Sequence, residues 1–190
     1  MHSQLFTLFV SFATLSLGAI AAPAIAAPRS SSPADVATAF LTAYSNMDYP
    51  SLAALTTDDF VFQDAAYPNI EGDVARGMYR WFIHDQAKTQ MKVIIHNVQP
   101  NPTDSNIAIA SFTDDYLFNG NHVINNITST ITVADGKVAL EQDAYSFEAW
   151  AEQALGPLVG PLAAPLDVTQ KIIQITAKVE LDSFMLFNPL

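Results

Sequence analysis

Three aspartates, two tyrosines and a histidine carry the residue types that could do chemistry in this chain. Between Lys137 and Phe147 an extended strand puts Ala139, Glu141, Asp143, Tyr145 and Phe147 on one face, with Val138, Leu140, Gln142 and Ala144 on the other. An acid beside Tyr145 and Phe147 is poorly solvated, which lifts its pKa toward the range a general base needs. Asp64 follows Phe60 and Phe62 by the same alternation, where an apolar strand opens into a loop. The plainer alternative for it is a strand-end acid that caps a turn. Asp114 and Tyr116 share a face with Phe112 and Phe118, whereas Asp115 points away to solvent. His96 shares a strand face with Ile94 and Val98, and Tyr44 and Trp81 are helix residues that turn toward a sheet. The chemistry these types suit is proton transfer. Asp64 or Asp143 takes a proton next to a carbonyl, and Tyr44, Tyr145 or His96 donates a hydrogen bond to the developing oxyanion. No cofactor is needed for that step. Phe60, Phe62, Trp81, Phe112, Asp114 and Tyr116, with Tyr44, are the expected pocket lining. The histidines lack helical i, i+4 spacing, so no metal site is expected.

The elements that must position these residues follow in order. Ser31 or Ser32 caps a helix with Pro33 in its first turn, and Val36, Phe40, Leu41 and Tyr44 recur at helical spacing to about Met47. Tyr49-Pro50 interrupts it, Ser51 to Leu55 makes a short helix, Thr57-Asp58-Asp59 turns, and Phe60 to Phe62 is a strand. A helix from Asp73 to about Lys88 carries Val74, Met78, Trp81 and Phe82 on one side. Strands are expected over Met91–Gln99, Ile107–Phe118, His122–Val133 and Lys137–Phe147, the last three joined as hairpins by Asn119-Gly120 and Asp135-Gly136. A helix at Trp150–Leu155, a Gly/Pro-rich link and a helical segment Asp167–Leu186, with Val168, Ile172, Ile175 and Val179 in step, close the chain. Helices first and a strand meander after them define an α+β roll, with helices packed on a bent antiparallel sheet around a pocket.

Composition narrows the partners. The net charge is −11 with only eight Lys and Arg, scattered without a patch, so neither nucleic acid nor an anionic membrane surface is an expected partner. There are no cysteines, which excludes thiol chemistry and disulfides. Leu5 to Ile20 is apolar and is followed by Ala24-Ile25-Ala26, the pattern of a secretory signal peptide cleaved after Ala26, or after Ala21 as the second choice. The run is shorter than the roughly 20 apolar residues of a membrane span. Asn126-Ile127-Thr128 is a glycosylation sequon, consistent with secretion. Glycosylation at Asn126 requires Ile124, Asn126 and Thr128 to face outward and Val123, Asn125, Ile127 and Ser129 inward. An outer sheet face carrying Val138 and Leu140 would favour a homodimer through that face.

The run Asn46 to Asp64 (NMDYPSLAALTTDDFVFQD), the preceding helix, the Gly-Asp-Val-Ala-Arg-Gly helix start and the meander resemble the nuclear transport factor 2-like superfamily, most closely its SnoaL-like branch, over about 34–150. The resemblance implies a cone-shaped roll over 34–150, after a signal peptide at 1–26 and before a C-terminal helical extension at 151–190. It also implies candidate activities. A ketosteroid isomerase-like base falls on Asp64, but the oxyanion tyrosine of that pattern falls on Phe40, which has no hydrogen to donate. Epoxide hydrolases of the limonene type place an Arg between two acids. Asp114 and Asp143 fall near the acids, but Phe112 stands where the Arg should be, which rules against that activity. SnoaL-type cyclases use an acid on the last strand, and Asp143 is similar to it.

Two functions therefore stand at the level of sequence. One is a secreted isomerase, dehydratase or cyclase acting on a small, largely apolar molecule such as a polyketide or terpenoid, with Asp64, Asp143, His96 and Tyr145 in its site. The other is a secreted ligand-binding module with the same pocket. The enzyme reading requires an acid and a donor to converge within hydrogen-bond reach, directly or through one water, a span of about 8 Å at most.

Overall fold

The structure is a computed structural model and describes residues 31–86, 91–156 and 165–188. The signal-peptide reading at 1–26 lies outside the described residues.

Helix α1 (Pro33–Ser45) starts on a capping box: Ser32 Oγ accepts from the Asp35 N–H, and the Asp35 carboxylate accepts from the Ser32 N–H. Val36, Ala37, Phe40, Leu41 and Tyr44 form its buried stripe. Asp48 caps α2 (Tyr49–Ala54) by accepting from the Ser51 N–H. Strand β1 (Thr56–Gln63) begins earlier than its aromatic centre suggests, and it pairs with a two-residue strand β2 (Ile70–Glu71) that has no sequence signal. Helix α3 (Gly72–Gln86) follows, then the long strands β3 (Lys92–Pro100), β4 (Ile107–Phe118), β5 (Asn121–Ala134) and β6 (Lys137–Ala144). Asn119 and Gly120, then Asp135 and Gly136, have positive φ, which gives both tight hairpin turns the twist the strands need.

The sheet order is β2-β1-β6-β5-β4-β3, and the helices cover one face of it. All neighbours are antiparallel except β1 and β6. Because that pair is parallel, both strands end at the same end of the sheet. Register shifts fall in β1, in β3 between Ile95 and Asn97, and in the β5–β6 ladder. Such bulges bend a sheet and re-aim side chains.

Two expectations are corrected by the faces these strands present, one of them through a bulge. In the β5–β6 ladder Thr132 pairs with Leu140 while Val133 pairs with Val138, so Ala139 is the extra residue. Val138 is thereby turned inward and fully buried, and the outer face retains Leu140 without it. The second concerns His96, the extra residue between the pairs Ile95–Phe112 and Asn97–Ser111. It lies exposed on the outer face, where Nε2 stands 2.7 Å from Thr113 Oγ1. The inward and outward sets anticipated for β5 are those observed, with Asn126 outward.

Strand β6 stops at Ala144, not Phe147, because Ser146 caps α4 (Phe147–Leu155) by accepting from the Ala149 N–H. Helix α5 (Leu166–Phe187) packs with a different stripe from the one the sequence suggests. Thr169 and Leu181 are buried, while Val168, Ile172, Ile175 and Val179 are exposed. Two stripes at helical spacing compete on this helix, and the one with small residues wins. The end of this helix packs tightly on α3, where a Cβ on Gly77 would lie 2.6 Å from Met185 Sδ. Gln170 and Gln174 donate to the Ala65 carbonyl, and the Tyr67 hydroxyl donates to that of Ala177. The C-terminal segment is thus a wall of the domain.

Candidate active site

Between the sheet, α1, α3, α4 and α5 lies a cavity of about 130 Å³. Its floor is aromatic. Phe40, Phe60 and Tyr79 pack ring to ring, and Tyr79 also meets Phe62 and Tyr44. Tyr44, Phe62, Trp81, Asp114 and Tyr116 line the cavity, as the sequence suggests. Phe60 and Phe112 do not: both are buried beneath it, and this corrects their assignment as lining. His96 is corrected likewise, since it stands on the opposite side of the sheet.

The parallel β1–β6 pair brings two acids together. Its register runs Phe62 with Glu141 and Gln63 with Gln142. The next residue on each chain is an aspartate, Asp64 and Asp143, and both line the cavity. Their surroundings differ. Asp64 Oδ1 accepts from the Ala66 and Tyr67 N–H groups, and Oδ2 accepts from the Tyr145 hydroxyl at 3.2 Å. Asp64 is therefore both a turn cap and a cavity acid. Desolvation raises its pKa, and these three hydrogen bonds to the charged form pull it back. Asp143 has no such set: Oδ1 is shut off from solvent without a partner. Desolvation and the neighbouring charge of Glu141 push its pKa well up, against a Ser129 hydrogen bond that pulls it down.

Two further acids complete the cluster. Asp114 is 5% exposed and accepts from the Tyr44 hydroxyl at 3.0 Å, while its Oδ1 has no partner. Burial pushes its pKa up to about 7. Glu141 is fully buried, accepts from the Tyr79 hydroxyl and stands 3.5 Å from Ser129 Oγ, with its pKa raised by burial to about 8. No Lys, Arg or His lines the cavity among the described residues. Nor do those residues hold a group of three or more His, Cys, Asp or Glu arranged for a metal ion.

Several lining residues escaped the sequence reading. Tyr79 lies one turn from Phe82 on the buried side of α3, but Trp81 draws attention first. Tyr67, Trp150 and the α5 residues Ile173, Ala177 and Glu180 also line the cavity. Trp150 Nε1 donates to the Tyr116 hydroxyl at 2.8 Å. Phe40, where a phenol was sought, is core, yet Tyr44 one turn along the same stripe carries a phenol into the cavity.

Helices packed on a bent six-stranded sheet around such a pocket define a cone-shaped α+β roll of the nuclear transport factor 2-like superfamily. Within it, the profile of the SnoaL-like domain matches residues 37–141, more than half of the chain, and the chain belongs to that family. Among solved structures it is similar to an epoxide hydrolase of the limonene type from Mycobacterium tuberculosis, at 23% identity and a TM-score of 0.56, covering 73% of this chain and 99% of that one. A provisionally assigned polyketide cyclase from Pseudomonas putida gives 19% identity and a TM-score of 0.53, with 65% and 98% covered. A protein of ketosteroid isomerase-like fold from Catenulispora acidiphila, solved with trimethylamine, gives 15% and 0.52, with 65% and 94% covered. At these identities the likeness is one of fold. No curated protein matches the chain.

Proposed function

We propose that this chain is a secreted, cofactor-independent proton-transfer enzyme of the isomerase, dehydratase or cyclase kind, acting on a small, largely apolar carbonyl compound of polyketide or terpenoid type. The observation that carries the reading is the unequal pair Asp64 and Asp143 on one cavity wall. Two acids whose surroundings push their pKa values apart divide into base and acid. Asp64, held as a carboxylate by two N–H groups and Tyr145, takes the proton next to the carbonyl. Asp143, still protonated, donates its hydrogen bond to the oxygen that gains charge. Tyr145 acts through Asp64 and is a positioning residue. A positioned base contributes roughly 10²–10⁴-fold in rate, and a donor to the oxyanion about 10²–10³-fold.

Membership of a family whose fold hosts cyclases and isomerases supports the reaction class. The apolar leader at 1–26 and the outward Asn126 sequon support secretion. The test is hydrogen exchange. The chain is incubated in heavy water with a panel of small apolar ketones and β-dicarbonyl compounds, and deuterium uptake next to the carbonyl is followed by NMR. The native chain should exchange at least one member of the panel, and Asp64→Asn should slow it by about 10²-fold or more. Binding of such compounds without exchange would make the chain a binding module instead.

A further inference from the structure

Asp114 is a buried acid that the proton transfer above does not use. It lines the cavity, accepts one hydrogen bond, from Tyr44, and its Oδ1 is buried without a partner. The rings around it form a box: Tyr44 meets Phe112 edge-on at 6.5 Å and Phe82 at 6.4 Å, and Phe82 meets Tyr116 at 5.4 Å. The hydroxyl protons that a ligand might use are largely spent inside the protein. Those of Tyr44, Tyr79 and Tyr145 go to carboxylates, and that of Tyr67 goes to the Ala177 carbonyl. The side-chain donors left there are the amide of Asn125, opposite Asp114 on β5, and the Tyr116 hydroxyl, so this end of the cavity holds more acceptors and aromatic faces than free donors. A carboxylate oxygen accepts only, and aromatic faces attract cations.

The geometry points to Asp114 as the counter-ion for a compact organic cation, an ammonium group carried by the ligand and boxed by Tyr44, Phe82 and Tyr116. The proposal shares with the proposed function the premise that this cavity holds a ligand, and it requires no reaction. The ionisable groups that share the cavity with Asp114 are Tyr44 from α1, Asp64 and Tyr67 from the turn after β1, Tyr79 from α3, Tyr116 beside it on β4, Asp143 from β6, Tyr145 just after it and Glu180 from α5. Glu141 on β6 adds its charge from behind. None of these is a cation, so a bound ammonium meets no repulsion from them.

The probes are choline, a permanent cation, and 3,3-dimethyl-1-butanol, its neutral isostere. Trp81 and Trp150 both line the cavity and report binding by fluorescence. At pH about 8, choline should bind at least about tenfold more tightly than the alcohol. The preference should shrink about tenfold by pH about 5.5 as Asp114 takes up a proton, because the probe's own charge does not change. Asp114→Asn, checked for folding by circular dichroism, should erase the preference and leave the alcohol's affinity unchanged. Tyr44→Phe removes a hydrogen bond to the charged form and should move the pH midpoint upward. Equal binding of alcohol and choline, a preference that survives in folded Asp114→Asn, or no saturable binding of choline would each overturn the proposal. Deuterium exchange by a chain that ignores choline would remove this proposal alone. Choline binding without exchange would remove the proton-transfer reading alone.

Discussion

The Tyr145 hydroxyl donates to Asp64 Oδ2 at 3.2 Å, although the two residues stand 81 positions apart in the chain. The contact exists because β1 and β6 are parallel neighbours and release their chains at one end of the sheet. It gives Asp64 a side-chain donor beside the two backbone N–H groups of its turn. Removing that donor disfavours the carboxylate. In Tyr145→Phe the Asp64 pKa should rise, because a hydrogen bond to the charged form is lost. The acidic limb of the bell-shaped pH–rate profile for deuterium exchange should move up with it, with little change in the alkaline limb, where Asp143 loses its proton. An unmoved limb would mean that Tyr145 does not act through Asp64.

The buried acids predict an unusual dependence of stability on pH. Asp114 rises from 3.8 to about 7 and Glu141 from 4.5 to about 8. Both folded values exceed the unfolded ones, so the folded chain holds more protons between them. The stability that these groups contribute is full below pH about 4 and is lost as pH rises to about 8, by an amount of order a few kcal/mol. Chemical denaturation at a series of pH values should show stability falling over that window, and Glu141→Gln should flatten the slope. Stability that rises from pH about 4 to about 8 would contradict these assignments.

Phe40 tests the aromatic floor. It is fully buried and packs on Phe60 and Tyr79. Phe40→Ala should cost about 3–5 kcal/mol in a denaturant titration. A loss under about 1 kcal/mol would mean that the floor closes over the gap.

Much of this arrangement can be read from residue types. Alternation places Asp64, Asp114, Asp143 and Tyr145 on inward faces, and positive-φ turn residues mark both hairpins. What alternation cannot supply is the register slip. A bulge in the β5–β6 ladder turns Val138 inward, His96 follows the exposed Ile94 to the outer face, and nothing in either residue announces it. The parallel β1–β6 pair is equally silent, because strand partners far apart in the chain leave no local pattern. Helix α5 carries two stripes at helical spacing, and its own sequence does not say which of them meets the domain. The pairing of each phenol with its acid is a tertiary fact that follows from these choices.

Asn126 stands outward in the middle of the sheet, and its Oδ1 accepts from the Thr113 hydroxyl at 2.7 Å. Made through a eukaryotic secretory pathway, the chain should carry a glycan there, seen as a mass shift that enzymatic deglycosylation and Thr128→Ala both abolish. The glycan would cover the same face, with Ile94, Leu117 and Ile124 exposed, that favours a homodimer. Sedimentation should therefore show association only in the unglycosylated chain. A dimer that persists with the glycan attached would place the interface elsewhere.

The division of labour between Asp64 and Asp143 is most directly tested by a site-resolved carboxyl carbon NMR titration of the native chain. The account predicts that Asp64 ionises first and that Asp143 holds its proton to a distinctly higher pH. Ionisation of Asp143 before Asp64, or of both together in the ordinary range near pH 4, would contradict it.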